Sequence, residues 1–481
     1  MFRISASVFN WGCFSLILLL LLSSKHAVSS SIVESLPGFP GSLPFRLETG
    51  YIAVDEKEDV QFFYYFVESD RNPRDDPLVL FFTGGPGCSG FSGLAFEIGP
   101  IHFNRVEYNG SLPTFVLNPH SWTKVSSIIF LDGPVGTGFS YSRTWQGYQS
   151  NNFVFAKRSF NFLKKWLLDH PKFISNPFYL GGDSYSGMVV PIVAEEIAKS
   201  IEAGHIPAIN FQGYLLGNPS TDQTIDKNSK VPFAHRMALI PDELYKSAKR
   251  ACKGQYVQRH RKNSKCAKYL QAISVRTDKI SSAHILHPKC QTTFTANEKL
   301  GGDQRILIEK QPSEAKSIQL SLDFRSAPAV FPKLECLNYE NVYAHYWANN
   351  NTVQEALHVR KGTIETWIRC NMNIPYVSLN FSVVGFHKRL HERGYRALIY
   401  SGDHDMVISY IGTQTWIKSL NLSVVTNWRP WLVEDQVGGY VTEYSNDFTF
   451  ATVKGGGHTA PEYQPKECFA MFERWISQEP L

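Results

Sequence analysis

A serine set between small residues, directly after a short apolar run, restricts the folds open to this chain. The run ends at Leu180, and residues 181–187 then read Gly-Gly-Asp-Ser-Tyr-Ser-Gly. At a sharp turn from a strand into a helix, the hydroxyl of such a serine is exposed and small neighbours let other chain segments approach. We therefore interpret Ser184 as a nucleophile. Ser186 stands where the general pattern G-x-S-x-G has its second glycine, so a Ser/Gly-rich surface turn is the alternative interpretation.

Two later strands end in side chains that could complete a catalytic triad with this serine. An apolar run at 397–400 leads into Ser-Gly-Asp-His-Asp, and a β-rich run at 448–453 leads into a glycine turn that ends at His458. A serine hydroxyl needs a base to take its proton, and a carboxylate must hold the imidazole of that base. We predict His458 as the base and Asp403 as the carboxylate. Asp405 is the rival, and Asp403 is preferred because it stands nearer the end of the strand.

A glycine-rich segment earlier in the chain predicts an anion-binding loop. Another apolar run, residues 78–82, opens into Thr-Gly-Gly-Pro-Gly-Cys-Ser-Gly at 83–90. Such loops donate a backbone N–H group to the oxyanion that forms in acyl transfer, and the residue after the nucleophile supplies a second donor. The predicted donors are the N–H groups of Gly85 and Tyr185. A nucleotide-binding loop is the competing interpretation, but the spacing is not G-x-G-x-x-G and no Lys-Ser or Lys-Thr pair follows.

Further motifs accompany these three, and together they resemble the serine carboxypeptidase family. They lie at residues 96–100, 118–122, 131–141, 401–403 and 455–461. The similarity runs from about residue 47 to the C-terminus, and within the family the chain most resembles the plant serine carboxypeptidase-like acyltransferases. The resemblance implies an α/β-hydrolase fold, with a mostly parallel central sheet, helices on both faces and an inserted helical cap. It also implies transfer of an acyl group from a glucose ester to an alcohol or amine, without cofactor or metal. Removal of C-terminal residues from peptides is the alternative activity.

Two positions depart from the pattern of the family's peptidases. Those enzymes have Trp-Leu-Asn-Gly-Gly-Pro-Gly-Cys and Gly-Glu-Ser-Tyr-Ala-Gly, and use the Asn and the Glu to hold the free carboxylate of a peptide. The matching residues here are Thr83 and Asp183. A Thr hydroxyl offers one donor where an Asn amide offers two, and Asp is one methylene shorter than Glu. With Gly84 and Glu97 they form the predicted substrate site, in which Glu97 and Asp183 could share a proton. The alternative role for Asp183 is to complement the charge at a helix N-terminus.

The alternation of strand and helix patterns predicts one α/β core that is interrupted by an insertion. Strand patterns near residues 52, 62, 80, 129, 179, 215, 399 and 450 alternate with helical ones. We predict a signal peptide over 1–29, a first part of the core over 30–218, an insertion or cap over 219–351, and a second part of the core over 352–481. Residues 292–328 are polar and weakly periodic, which predicts an exposed linker within the insertion.

The N-terminus has the features of a secretory leader. Arg3 precedes an apolar stretch at 14–22, and small residues at 27–29 offer a cleavage site. The stretch is too short to span a bilayer, so we expect no membrane attachment after cleavage. No Lys-Asp-Glu-Leu-type signal ends the chain, which favours the vacuole or the exterior. The formal net charge is only +5, and it includes Arg3 and Lys25 of the leader, so nucleic acid is not an expected partner. The expected partners are a small acyl donor and acceptor; the oligomeric state stays open.

Cysteines and sequons agree with a secretory protein. Of the eight cysteines, Cys13 belongs to the leader, so an odd number is left and at least one thiol is free or pairs between chains. The resemblance implies bridges from Cys88 to Cys336 and from Cys252 to Cys266, and leaves Cys290, Cys370 and Cys468 unassigned. N-glycosylation sequons occur at Asn109, Asn350, Asn380 and Asn421.

Overall fold

The computed structural model describes residues 29–257, 264–290, 334, 336, 339–379 and 381–481. Residues 1–28 of the predicted signal peptide, the predicted linker at 292–328 and Asn380 lie outside these residues. The described strands are β1 Ser29–Ile32, β2 Leu47–Asp55, β3 Val60–Val67, β4 Leu78–Phe82, β5 Ile101–Phe103, β6 Phe115–Leu117, β7 Ser127–Leu131, β8 Tyr141–Ser142, β9 Ser150–Asn151, β10 Phe178–Asp183, β11 Phe211–Gly217, β12 Tyr376–Val377, β13 Arg396–Gly402, β14 Val424–Val433, β15 Gln436–Tyr444 and β16 Phe448–Val453.

A large mixed sheet organises the described part of the chain. Its strand order is β1-β2-β3-β7-β4-β10-β11-β13-β16-β15-β14, and β8 pairs with β3. The central strands β7, β4, β10, β11, β13 and β16 are parallel to one another, and the strands beyond them pair antiparallel. The predicted mostly parallel central sheet is confirmed. Because the carboxyl ends of parallel strands share one edge, the loops after β4, β10, β13 and β16 meet there.

The central strands of the sheet are buried on both faces, and their side chains alternate between two hydrophobic cores. In β3, the even-numbered residues from 62 to 66 pack in one core and the odd-numbered residues from 63 to 67 pack in the other. In β4, residues 78, 80 and 82 face the first core, and residues 79 and 81 face the second. Continuous apolar runs are typical of parallel strands that are covered on both sides. This explains why the strands with catalytic candidates at their ends read as uninterrupted apolar sequence.

Helices cover both faces of the sheet, as predicted. Phe162 and Trp166 of the helix 152–169 belong to the first core, and Phe472 of the helix 465–476 belongs to the second. The described α-helices are α1 Trp145–Tyr148, α2 Asn152–Asp169, α3 Val190–Glu202, α4 Gln223–Arg236, α5 Asp242–Cys252, α6 Ser264–Thr277, α7 Glu340–Ala348, α8 Asn351–Ala356, α9 Val384–Glu392, α10 Tyr410–Ser419, α11 Ala460–Tyr463 and α12 Pro465–Ile476. None of these helices has the length and hydrophobicity that a bilayer crossing requires.

Disulfide connectivity differs from the expectation at one bridge. The structure joins Cys252 to Cys266, the expected pair, but it joins Cys88 to Cys370 and Cys290 to Cys336. The expected bridge from Cys88 to Cys336 is therefore wrong. The physical reason is that residues 369–371 run antiparallel beside residues 87–89. Two backbone hydrogen bonds, of 2.7 and 2.8 Å, flank the two cysteines. This pairing brings the Cα atoms of Cys88 and Cys370 to within 3.8 Å of each other. Cys468 is a free, buried thiol.

Candidate active site

The nucleophile candidate sits on a strained turn at the end of β10. Ser184 begins a single turn of 3₁₀ helix, Ser184–Met188, and has a left-handed φ of 53°. A non-glycine residue in that region is uncommon, and such strain is concentrated at functional sites. A Cβ atom on Gly84 would lie 2.5 Å from Ser184 Cβ, so the loop after β4 approaches the serine as closely as its backbone allows. Ser184 therefore lies at a sharp turn between a strand and a helix, as predicted.

The departure at Ser186 has a structural explanation. Its Oγ donates a hydrogen bond of 2.7 Å to the carbonyl oxygen of Asp183, so the side chain is used within the turn. The close approach that a second glycine would serve occurs one residue later, where a Cβ atom on Gly187 would lie 2.4 Å from Ser220 O. The small residue that allows this close approach is therefore Gly187, one position after the second glycine of the general pattern.

The base candidate contacts the serine and a carboxylate at hydrogen-bond distance. His458 Nε2 lies 2.8 Å from Ser184 Oγ, and His458 Nδ1 lies 2.8 Å from Asp405 Oδ2. Asp405 is fully buried, and its Oδ1 accepts from the N–H groups of Val407 and Ile408 at 2.6 and 3.2 Å. This arrangement can move a proton from the serine hydroxyl to the imidazole while the carboxylate stabilises the imidazolium.

The structure places Asp405 against His458, so the choice of Asp403 for this position is wrong. Asp403 Oδ1 instead lies 2.6 Å from His404 Nδ1 and accepts from the N–H group of Gly455 at 2.8 Å. The chain turns back after β13, with the Asp405 N–H group bonded to Gly402 O, and this turn aims the second aspartate inwards. Nearness to the strand end was the wrong criterion. Apolar residues directly after Asp405, at 406–408, were the signal that it is turned towards the core.

The surroundings of the imidazole raise its basicity. Burial alone would lower the pKa of His458, but the Asp405 carboxylate, with Asp183 and Glu462 nearby, outweighs burial and raises this pKa above its ordinary value. A base with a raised pKa binds the serine proton more firmly once it is transferred. The same carboxylates therefore favour the imidazolium that forms as an acyl group is attacked.

The two predicted oxyanion donors lie on the chain segments that flank the serine. The position of a Cβ atom on Gly84 would be 3.1 Å from Tyr185 N, so the loop at 84–85 faces the start of the 3₁₀ turn. Gly85 has a φ of 116°, which only glycine adopts readily. The side chain of Tyr185 is fixed as well, since its hydroxyl donates to Asn152 Oδ1 at 2.9 Å, and Tyr376 donates to the same oxygen at 2.8 Å.

The predicted substrate residues form a buried polar group behind the serine. Thr83, Glu97 and Asp183 are all buried, and the backbone of Gly84 hydrogen-bonds to Asp183. Burial, opposed chiefly by His458, raises the pKa of Asp183 to about 7. Burial and the neighbouring Asp183 also raise the pKa of Glu97. Among the described residues, Thr83 Oγ1, Glu97 Oε2 and Asp183 Oδ1 have no hydrogen-bond partner.

Sequence reasoning missed several residues of this site. Asn218 Nδ2 donates to Asp405 Oδ2 at 2.8 Å, and Asn218 follows β11, the strand between those that carry Ser184 and Asp405. A polar residue at the carboxyl end of that strand was a usable signal. Arg369 and Glu462 form a second missed pair, with Arg369 Nη2 at 3.1 Å from Glu462 Oε1. Arg369 lies 93 positions before Glu462, and no spacing in the sequence indicates their contact.

The chain matches a known protein family over most of its length. The family model described as "Serine carboxypeptidase" matches residues 37–478. The chain belongs to the serine carboxypeptidase family. Among curated relatives, "Serine carboxypeptidase-like 1" of Arabidopsis thaliana is 49% identical over 463 residues, which cover 96% of each chain. "Serine carboxypeptidase-like 10" of the same organism is 49% identical over 468 residues, covering 97% of this chain and 98% of the relative.

A solved carboxypeptidase structure shares the fold at low sequence identity. The prohormone-processing carboxypeptidase Kex1Δp from Saccharomyces cerevisiae is 18% identical, covers 90% of this chain with 92% of its own, and superposes with a TM-score of 0.68. The predicted α/β-hydrolase fold is confirmed. The disulfides of this family member are typical of a chain that matures in the secretory pathway.

Three of the predicted glycosylation sites can be located on this serine carboxypeptidase family member. Asn109 and Asn421 are exposed. Asn350 is partly buried, and its Oδ1 accepts from the Thr352 N–H group at the start of α8. Glycosylation at these positions stays a prediction.

Proposed function

We propose that the protein is an acyltransferase that moves an acyl group from a glucose ester to an alcohol or amine acceptor, in the vacuole or outside the cell. Ser184, Asp405 and His458 would form the catalytic triad, with oxyanion donors from Gly85 and Tyr185. The observation that carries the proposal is a buried group of three polar side chains, Thr83, Glu97 and Asp183, each with an oxygen atom that has no partner among the described residues. We call these three residues the clamp.

The reaction uses the triad twice. His458 Nε2 takes the Ser184 proton as Oγ bonds to the acyl carbon, and the ester bond to glucose then breaks as the leaving oxygen takes that proton from His458. The acceptor next gives its O–H or N–H proton to His458 while it bonds to the acyl carbon, and Ser184 recovers the proton as its bond breaks. Asp405 stabilises the imidazolium in both halves.

The residue types in the clamp support transfer rather than peptide cleavage. A peptidase of the family holds the free carboxylate of its substrate with an Asn and a Glu, where this chain has Thr83 and Asp183. In the described part of the chain, Thr83 Oγ1, Glu97 Oε2 and Asp183 Oδ1 have no hydrogen-bond partner. Buried polar atoms are costly when they are unpaired, so these atoms support binding of a polar ligand. The presence of Thr83 and Asp183 in place of Asn and Glu supports a ligand that differs from a C-terminal carboxylate. A glucose ester offers several hydroxyl groups for such atoms.

A serine-type carboxypeptidase is the second candidate, and one observation favours it. With its pKa raised to about 7, Asp183 is protonated in acidic solution, and Glu97 is shifted in the same direction. A protonated carboxyl group can donate a hydrogen bond to a peptide carboxylate. Binding of a peptide carboxylate would therefore be expected to tighten as the pH falls below about 7.

A competition between the two substrate classes tests the proposal. The purified protein is incubated with a panel of acyl-glucose esters, with and without alcohol and amine acceptors, and in parallel with a blocked dipeptide. We expect consumption of an acyl-glucose with formation of the transferred ester or amide, and little release of the C-terminal amino acid. A Ser184→Ala variant serves as the control and should form neither product. Efficient dipeptide cleavage without transfer from any acyl-glucose would leave the carboxypeptidase as the function.

A further inference from the structure

A short segment of the insertion crosses both loops that carry the acid and the base. We call residues 282–285 the strap. Ser282 O accepts from the Met406 N–H group at 2.9 Å, and the Ile285 N–H group donates to His404 O at 3.1 Å. The strap is therefore hydrogen-bonded to the residues immediately before and after Asp405.

The strap is bonded to the other loop in the same way. Ala283 O accepts from the backbone N–H group of His458 at 2.7 Å. His284 Nε2 lies 3.0 Å from Gly455 O, three residues before His458. Four hydrogen bonds, two to each loop, thus connect a segment from outside the core sheet to both partners of the acid–base pair.

The His284 side chain is fixed by its chemistry and its packing. Because Gly455 O can only accept, Nε2 carries the proton, and Nδ1 is buried with no partner among the described residues. The ring centroid lies 4.5 Å from that of Tyr463 and 5.5 Å from that of His404, nearly parallel to the latter. His287 lies against the same ring at 4.5 Å. The ring therefore has one orientation in which it holds Gly455.

The sequence of the His458 loop leaves space for the strap. A Cβ atom on Gly457 would lie 2.6 Å from Ala283 O and 2.8 Å from His284 Cδ2. Such distances are below van der Waals contact, so any larger residue at 457 would push the strap away. Glycine directly before the base is therefore required by the strap.

The strap is also held at its ends. The Lys289 N–H group donates to Lys279 O at 2.9 Å and closes the base of the loop. Cys290 follows directly and is bonded to Cys336. On the other side, α6 is joined to α5 by the bridge between Cys252 and Cys266. A segment anchored in this way loses little conformational entropy when it holds a neighbouring loop.

We propose that the strap positions the acid–base pair, and that His284 is its positioning residue. By fixing Gly455 and the main chain of His458, the strap keeps the imidazole within hydrogen-bond distance of both Asp405 and Ser184. This inference rests on the proposed catalytic role of these three residues. It is independent of which acyl donor or acceptor the protein uses.

The test measures how fast Ser184 reacts with a fluorophosphonate, together with the melting temperature, in the full-length protein. His284→Gln places an amide nitrogen where Nε2 stood and should react within about threefold of the unchanged protein. His284→Asn places its amide near the position of Nδ1 and should react about tenfold more slowly, as a loss of about 1.4 kcal/mol in transition-state stabilisation would produce. His284→Phe keeps the ring packing without the donor and should be equally slow. Leu286→Ala, on the exposed side of the same loop, is the matched control and should be unchanged.

The pH profile separates positioning from a merely structural role. The charged or titratable groups that face His458 are Asp405, Asp183 and Glu462, all of which favour its protonated form. When the strap is loosened, His458 moves away from Asp405, and the pKa of His458 should fall. The pH below which the labelling rate declines should therefore be lower. Groups that face the 284 position, namely His287, His404 and Tyr463, are the same in every variant. We expect the shift in His284→Asn and His284→Phe, and none in His284→Gln.

The outcomes that overturn the inference are specific. A lower melting temperature in His284→Phe, with an unchanged labelling rate and pH profile, would make the strap only structural. His284→Gln as slow as His284→Asn would show that the bond to Gly455 O is not what matters. If the unchanged protein were not labelled at Ser184 at all, the proposed triad itself would fail, which is a different result from normal labelling in every His284 variant.

Discussion

Asn218 Nδ2 lies 2.8 Å from Asp405 Oδ2, the same carboxylate oxygen that faces His458 Nδ1 at 2.8 Å. The amide and two backbone N–H groups from residues 407 and 408 hold the carboxylate in one orientation. Asp405 is thus a fully buried carboxylate whose hydrogen bonds come from Asn218 directly after β11, from its own loop and from His458. A carboxylate oriented in this way can select the imidazole tautomer that accepts the serine proton.

The first prediction compares the two aspartates. Asp405→Asn should lower kcat by about 10⁴-fold, because an amide at this position favours the wrong imidazole tautomer. Asp403→Asn should cost no more than about tenfold, since Asp403 bonds to His404 and Gly455 and does not reach His458. Steady-state kinetics with an activated ester measures both. Equal losses in the two variants would contradict the assignment of the acid to Asp405.

The sequence was informative where chemistry depends on strand ends, and less so where it depends on turns. Apolar runs predicted the parallel centre of the sheet, because strands covered on both faces must be apolar throughout. Ser184 and His458 each follow such a run, and the structure brings them together. Asp403 and Asp405 follow the same strand, and only the turn geometry at residues 402–405 separates their roles. Distance from the strand end does not distinguish the two aspartates, whereas the apolar residues at 406–408 indicate the one that is turned inwards.

Pairings between distant segments were also beyond the sequence. The expected partner of Cys88 was Cys336, whereas the antiparallel contact of residues 87–89 with 369–371 selects Cys370. Contacts of this kind depend on how segments that are far apart in the chain come together. For the same reason the strap residue His284, which lies 171 positions before Gly455, could not be placed in the site.

The second prediction concerns the close approach of Gly84 to the serine. In Gly84→Ala the new methyl carbon would lie 2.5 Å from Ser184 Cβ and 3.0 Å from its Oγ. The nucleophile must move, and a displacement near 1 Å costs about 10²-fold in rate. Fluorophosphonate labelling reports the loss. Gly385→Ala is a matched control, since the nearest atom there is the end of the Arg389 side chain at 3.4 Å, and it should label normally.

The third prediction follows from the raised pKa of His458. Only the neutral imidazole can take the serine proton, so the labelling rate should fall as the pH is lowered through this pKa, with a midpoint above about 6.5, the ordinary value for histidine. Stability should change in the opposite direction. Because the folded-state pKa exceeds the unfolded one, the pair contributes full stability below about pH 6.5 and loses it as the pH rises through the folded pKa.

Asp183 provides the control for that profile. It is one of the carboxylates that raise the pKa of His458, so Asp183→Asn should move the midpoint to lower pH. A midpoint at or below about 6.5 in the unchanged protein would show that burial outweighs the carboxylates.

The fourth prediction concerns cleavage within the predicted linker at residues 292–328. Two bridges, Cys88 to Cys370 and Cys290 to Cys336, connect the parts of the chain on either side of it. A nicked protein should therefore run as one species on a non-reducing gel and as two after reduction. Replacing either cysteine pair by serine should leave the fragments joined, and replacing both pairs should release them. Release in either single-pair variant would mean that the other bridge does not form.

The last prediction tests the clamp on which the acyltransferase proposal depends. The acyl-enzyme is the same whether water or an alcohol arrives next, so the choice between the reactions lies in how substrates are held and water is excluded. Thr83→Asn adds a second hydrogen-bond donor, and Asp183→Glu adds one methylene. In the double variant the longer carboxyl group should reach Glu97, whose Oε2 has no partner in the described part of the chain. We expect peptide hydrolysis to rise relative to transfer by about tenfold, the equivalent of about 1.4 kcal/mol in transition-state binding. The single variant Thr83→Ser, which keeps one hydroxyl, is the control and should leave the ratio unchanged. If the double variant gained no peptidase activity while still transferring acyl groups, the specificity would have to reside outside these residues.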